Sequence, residues 1–210
     1  LDKMKADVVV IRHSVSGAPQ IVADKISASV VNAGDGLHAH PTQALLDFFT
    51  IEQTFGHFDG LEVAIIGDIK HSRVARSNIV GLVRLGAKVR VYAPATLMPI
   101  GIESLPVRVC KNINEAFECV DVVMGLRIQL ERQQKGAFPT LSEYNKFFGI
   151  NAERMKLAKP NAVVLHPGPV NRGVELSYDV LDKDFCLKDE QVTNGVAVRM
   201  ALLEMLCKNK

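Results

Sequence analysis

The sequence predicts an α/β fold built on doubly wound parallel sheets. Short runs rich in Val and Ile alternate with longer segments of helical period, the pattern of repeated βαβ units. The runs are almost continuously apolar, as strands covered by helices on both faces are. Several are closed by turns carrying Arg, His and Gln, and the carboxyl ends of parallel strands are where open α/β sheets take ligands.

Along the chain, strands are expected at Asp7–Arg12, Val30–Asn32, Glu62–Gly67, Lys88–Tyr92, Val107–Cys110, Asp121–Leu126 and Ala162–His166. Helices are expected at Thr42–Phe55, Arg73–Leu85, Ile113–Glu118, Leu141–Phe148, Ala152–Leu157 and Glu190–Lys208. Pro41 suits a first helical position, because its missing N–H is an orphan there, and Gly56 suits a helix end. The helix between them is long enough to join two lobes. Residues 1–45 then end a first lobe, 46–184 form a second, and 185–210 pack back on the first. Both lobes read as Rossmann-like, the second complete and the first partial. The chain opens on Leu1, and an apolar strand starts almost at once, so an upstream part is expected to precede it.

With 210 residues and a hydrophobic fraction of 48%, the chain can bury a sizeable core. A net charge of +2 gives no field for nucleic acid, and no apolar run is long enough to span a bilayer. Cys110, Cys119, Cys186 and Cys207 show no C-x-x-C spacing, so structural zinc is not expected and the thiols are expected reduced, in the cytoplasm.

Four segments hold the chemistry. His40 and Gln43 stand three apart at a helix start and share a face, beside a partial positive charge and free N–H groups. They can hold a phosphate or a polarised carbonyl; alternatively His40 only caps the helix. After Ala64-Ile65-Ile66, where a dinucleotide-binding chain would carry G-x-G-x-x-G, only Gly67 fits, and Lys70, His71 and Arg73 fill the turn. Arg73 at a helix N-terminus opposes the dipole, which favours an anion partner over a solvated role. Arg127 and Gln129 alternate and face one side if extended, with Glu131 able to pair with a neighbouring cation. Arg73 and Arg127 could clamp a dicarboxylate, although either alone also reads as a surface ion pair. In His166-Pro167-Gly168-Pro169 the prolines fix a turn whose carbonyls could accept from an amino group.

Arg12 closes the first strand and faces the same crevice, and Asn32-Ala33-Gly34-Asp35-Gly36 reads as a ligand-lining loop. Arg172 and Glu175 could pair locally, and Asn194-Gly195 could mark a kink or a close packing contact. With no nucleophile beside a base, no metal-ligand cluster and no glycine-rich phosphate turn, no cofactor or metal is expected. The inventory fits a reaction driven by orientation and charge stabilisation.

Taken in order, Val-Ile-Arg-His, Asn-Ala-Gly-Asp-Gly, His-Pro-Thr-Gln-Ala-Leu-Leu-Asp, Gly-Asp-Ile-Lys-His-Ser-Arg, Arg-Ile-Gln-Leu-Glu-Arg, His-Pro-Gly-Pro and Asn-Gly-Val-Ala-Val-Arg resemble the aspartate/ornithine carbamoyltransferase family over essentially the whole chain. The resemblance, on the aspartate side of that family, implies transfer of the carbamoyl group of carbamoyl phosphate to the amino group of L-aspartate, in pyrimidine synthesis. It implies that Arg12, His40 and Gln43 bind carbamoyl phosphate, with Arg12 and His40 polarising the carbamoyl oxygen and Gln43 holding its amide. Arg73 and Arg127, helped by Gln129, would bind the aspartate carboxylates, and the carbonyls of Pro167 and Gly168 would orient the reacting groups. A homotrimer with shared sites is implied, and regulatory or dihydroorotase chains are candidate further partners.

The family's Ser-Thr-Arg-Thr phosphate motif and the loop lending Ser and Lys to a neighbouring subunit belong upstream of Leu1, so the chain alone is expected to be weakly active or inactive. An ornithine-type enzyme is the nearest rival, but it typically carries His-Cys-Leu-Pro where His166 to Pro169 stands, and it needs an acidic group for the ornithine amine. The basic turn argues against a nicotinamide-dependent dehydrogenase. The near-complete set of aspartate-side residues argues against a non-catalytic partner subunit.

Overall fold

The computed structural model describes residues 2–128 and 140–208. Two parallel sheets organise the chain. In the first, β1 (Val8–His13) pairs with β2 (Ser29–Asp35), joined across α1 (Ala18–Ala23). α2 (Pro41–Phe55) leads to the second sheet, formed by β3 (Glu62–Ile66), β4 (Lys88–Tyr92), β5 (Val107–Val109), β6 (Val122–Gly125) and β7 (Val163–Leu165). Its order is β5-β4-β3-β6-β7, every pair parallel. The sequence of strands therefore reverses between β3 and β6, which makes their carboxyl ends the crevice of this sheet.

The second sheet is buried on both faces by alternate residues. Val63 and Ile65 of β3, Val122 and Met124 of β6, and Val163 and Leu165 of β7 meet Ile51 of α2 and Ile79 and Leu82 of α3 (Arg73–Arg84). Ala64, Ile66, Val123 and Val164 point the other way, toward Ala116 and Phe117 of α4 (Ile113–Phe117) and Val180 and Leu181 of α7 (Tyr178–Leu181). Period-two side-chain direction on a two-sided core gives the continuous apolar runs of the sequence. α5 (Leu141–Phe148) and α6 (Ala152–Met155) complete this lobe.

The last helix, α8 (Lys188–Lys208), lies along α2. Gly195 is the contact point, since a Cβ there would stand 3.1 Å from Leu46 Cδ2. Asn194 donates to Thr50 Oγ1 at 3.0 Å and Gln53 Oε1 at 2.7 Å. Of the two readings of Asn194-Gly195, close packing is the one the structure shows.

Several expected bounds shift. β2 runs on to Asp35, because pairing with β1 resumes at His13–Asp35 after a register shift beyond Ile11–Asn32. α1 went unread because it is short and carries a proline at its start. α8 begins two residues before Glu190, and α7 was not expected at all. All four cysteines are free thiols. Among the described residues no helix is long and apolar enough to cross a membrane, and no His/Cys/Asp/Glu group is placed to hold a metal.

Candidate functional site

Three elements deliver cations to one place. Arg73 is the first residue of α3, whose start is fixed by Ser72: the hydroxyl accepts from Ala75 N at 3.1 Å. Arg73 is 6% exposed, so the solvated reading fails. Its guanidinium lies against the end of β2: a Cβ on Gly34 would come within 2.7 Å of Arg73 Cζ. The loop that follows is organised by Asp35, which accepts from Gly17 N at 2.6 Å, Asn32 Nδ2 at 2.9 Å and Ala39 N at 3.1 Å. Burial alone would raise the Asp35 carboxyl. The hydrogen bonds from Asn32, Gly17 and His38 outweigh it and hold the group down to about 2.

His40 stands before α2. Its side chain makes no cap hydrogen bond, which removes the reading of His40 as a helix cap. Its backbone N–H donates to Ser77 Oγ of α3 at 2.9 Å. Its Nδ1 is buried and meets no partner among the described residues. Burial, then the charges of Arg73, Arg12 and Arg199, press its pKa down to about 4. A neutral imidazole ringed by three arginines can donate to a carbonyl oxygen without itself carrying charge. Arg12 is exposed near the end of β1, and its charge is felt at His40.

On the other side of the switch point, Arg127 follows β6 and His166 follows β7. His166 is 2% exposed, its Nδ1 accepts from Gly168 N at 3.0 Å, and burial with the Arg127 charge pushes it down to about 3. Gly168 has φ +60°, and the Gly168–Pro169 peptide is cis. A cleft of about 620 Å³ is lined by Gln43, His166, Pro167, Gly168, Arg172 and Arg199, among others.

The Arg127 segment is tied to the proline turn by Glu175. This buried carboxylate accepts from Ile128 N at 2.7 Å, Asn171 N at 2.8 Å and Asn171 Nδ2 at 2.6 Å. Burial raises its pKa against those bonds. The expected local pair of Arg172 with Glu175 is absent: Arg172 is exposed, and Glu175 is engaged by amides. Gln129, with Glu131 beside it, lies outside the described residues.

Two participants were missed in the sequence. Arg199 lines the cleft and adds its charge at His40. Asp47, 0% exposed, receives Gln43 Nε2 at 3.0 Å, Asn78 Nδ2 at 2.8 Å and Gln191 Nε2 at 2.7 Å. Burial lifts its pKa to about 6, against those three bonds and the Arg199 charge. The available signals were position, Asp47 one helical turn after Gln43 and Arg199 one turn after Gly195, and the place of each as the last residue of a segment that carries the family resemblance.

The chain is a doubly wound α/β protein with parallel sheets, and its cleft between α2, α8 and the proline turn is lined by Arg172, Arg199 and the neutral His166. The family model for the aspartate/ornithine carbamoyltransferase Asp/Orn binding domain matches residues 59–206, and that for the carbamoyl-P binding domain matches residues 1–53. The chain belongs to the aspartate/ornithine carbamoyltransferase family. It is 57% identical over 210 residues to the aspartate carbamoyltransferase catalytic subunit of Caldanaerobacter subterraneus, covering 100% of this chain and 69% of that one. It is 60% identical over 208 residues to that of Ruminiclostridium cellulolyticum, covering 99% and 66%. Among solved structures, aspartate transcarbamoylase from Trypanosoma cruzi in complex with carbamoyl phosphate superposes with a TM-score of 0.81 at 33% identity, over 94% of this chain and 65% of that one. Ornithine carbamoyltransferase from Thermus thermophilus gives 0.80 at 25%, over 96% and 67%. The chain thus spans 66% to 69% of the length of these two curated relatives.

Proposed function

We propose that this chain carries the aspartate-binding lobe, and part of the carbamoyl phosphate-binding lobe, of an aspartate carbamoyltransferase. The reaction forms a bond between the aspartate nitrogen and the carbamoyl carbon. It breaks the bond from that carbon to the phosphate oxygen, and the amine proton is released. The observation that carries the reading is the neutral His40 held among Arg12, Arg73 and Arg199 at the start of α2, facing a switch point whose other edge bears Arg127. Neutral His40 and Arg12 would polarise the carbamoyl oxygen, and Gln43 would hold the carbamoyl amide. Arg73 and Arg127, with Gln129, would take the aspartate carboxylates, and the Pro167 and Gly168 carbonyls would orient the amine. Arginines on both edges favour a dicarboxylate over ornithine.

The lobes divide within α2, and the protein works as a homotrimer in the cytoplasm; the catalytic-subunit names of the relatives support the assembly. Sedimentation velocity should give a species of three copies.

Calorimetric titration tests the substrate. L-Aspartate and N-(phosphonacetyl)-L-aspartate should bind and L-ornithine should not, and Arg73→Ala should weaken L-aspartate by roughly tenfold to a hundredfold, the worth of a charge-assisted pair. Binding of ornithine without aspartate would reassign the chain to the other branch of the family.

A further inference from the structure

An ionised carboxylate only accepts hydrogen bonds, while a side-chain amide has a donating nitrogen on one arm and an accepting oxygen on the other. A carboxylate buried among amides therefore fixes which way each is turned. Asp47 is placed to do this. Gln43 and Gln191 both direct nitrogen at Asp47 Oδ1, at 3.0 Å and 2.7 Å, and Asn78 directs nitrogen at Oδ2, at 2.8 Å. The consequence is visible at Gln191: with its nitrogen on Asp47, its Oε1 accepts the backbone N–H of His166 at 2.8 Å. That bond anchors the residue from which the proline turn departs.

Gln43 lines the cleft with His166, Pro167 and Gly168. One N–H of its nitrogen is held by Asp47, which fixes the oxygen as the accepting arm open to a ligand. Turning the amide over would set that oxygen against a buried carboxylate. An oxygen presented to the cleft accepts from an NH2 group and gains nothing from a methyl in the same place.

We propose that Asp47 is a positioning residue that fixes the polarity of the Gln43 amide, and so makes the cleft select a carbamoyl group over an acetyl group of the same shape. This rests on the reading of the site given above. Asp47 touches no substrate, and its effect on the choice between carbamoyl and acetyl runs through Gln43.

The probes are N-carbamoyl-L-aspartate and N-acetyl-L-aspartate, which differ by NH2 against CH3. Calorimetry on the chain should show the carbamoyl compound binding about tenfold more tightly, the worth of one hydrogen bond. In Asp47→Ala, water can take the vacated place and satisfy the amide in either orientation. The preference should fall to about twofold or less while N-acetyl-L-aspartate binding stays within about twofold of wild type. A merely structural loss would weaken both ligands together and overturn the proposal, as would a retained tenfold preference. Wild-type protein that binds both ligands equally overturns the proposal but leaves the aspartate site standing; wild-type protein that binds neither overturns both.

A second measurement needs no variant and covers a failure of Asp47→Ala to fold. With isotopically labelled glutamine, N-carbamoyl-L-aspartate should move the Gln43 carbonyl carbon more than N-acetyl-L-aspartate does, leaving its amide nitrogen nearly still. A response centred on the nitrogen overturns the proposal.

Discussion

Arg73 occupies the first turn of α3, where the dipole opposes it, yet it is nearly enclosed. Gly34 makes room for it: a Cβ there would meet the guanidinium at 2.7 Å, and the backbone has φ +111°. Gly34→Ala should therefore strain the end of β2 and push Arg73 aside. We expect a loss of about tenfold in L-aspartate affinity by calorimetry, with the far-ultraviolet circular dichroism unchanged. His40 and His166 are held neutral in the folded chain, at about 4 and about 3, whereas an unfolded histidine titrates near 6.5. Between those values the unfolded chain binds more protons, so stability rises with pH there and is lost as acid is added below about pH 6.5. Asp47, raised to about 6, works in the opposite sense over about pH 4 to 6. Urea midpoints taken from pH 4 to 7 should rise with pH, and His166→Asn should flatten that rise. Arg73, Arg127 and His40 could be singled out in the sequence because each stands beside a strand end, although a helix cap or a surface ion pair was a competing reading there. Asp47 could not, since an acid one turn after a glutamine on a helix reads equally as a solvated pair. Only its burial among Asn78 and Gln191 separates the two.

At the scale of the element, boundaries decide where the chemistry points. Ser72 sets the first turn of α3 and hence the direction of Arg73. Ser72→Ala should cost about 1 kcal/mol in chemical denaturation and weaken aspartate binding with it. The end of β6 is equally constrained. A Cβ on Gly125 would stand 2.9 Å from Ile150 Cδ1, 3.3 Å from His166 Cδ2 and 3.4 Å from Leu176 Cδ2, all on buried side chains. Gly125→Ala should destabilise by about 1–3 kcal/mol, read as a lower urea midpoint at unchanged slope. β3, β6 and β7 were readable because both of their faces are apolar. α1 and α7 were not, being a six-residue helix with proline at its second position and a four-residue turn, both too short for a 3.6-residue period to show.

Over the whole molecule, the alternation of strand and helix was enough to anticipate two parallel sheets, but not the strand order β5-β4-β3-β6-β7. The order depends on which helix covers which face, and that is settled by contacts such as Ile51 with β3 that no local pattern encodes. The carboxyl ends of β3 and β6 meet only because of it.

The bond from Gln191 to Asp47 joins residues 144 positions apart, and Asn194 reaches back equally far to Thr50. During synthesis, α2 leaves the ribosome long before its helical partner exists. For that interval Asp47 is a charged group without one of its three amides, on a helix without its neighbour. Closing so long a loop is slow relative to forming the local strand–helix units. Amide hydrogens of β3 and β6 should thus gain protection first in pulse-labelled refolding, and those of α2 and α8 together and later. Ligand recognition would be the last property the nascent chain acquires.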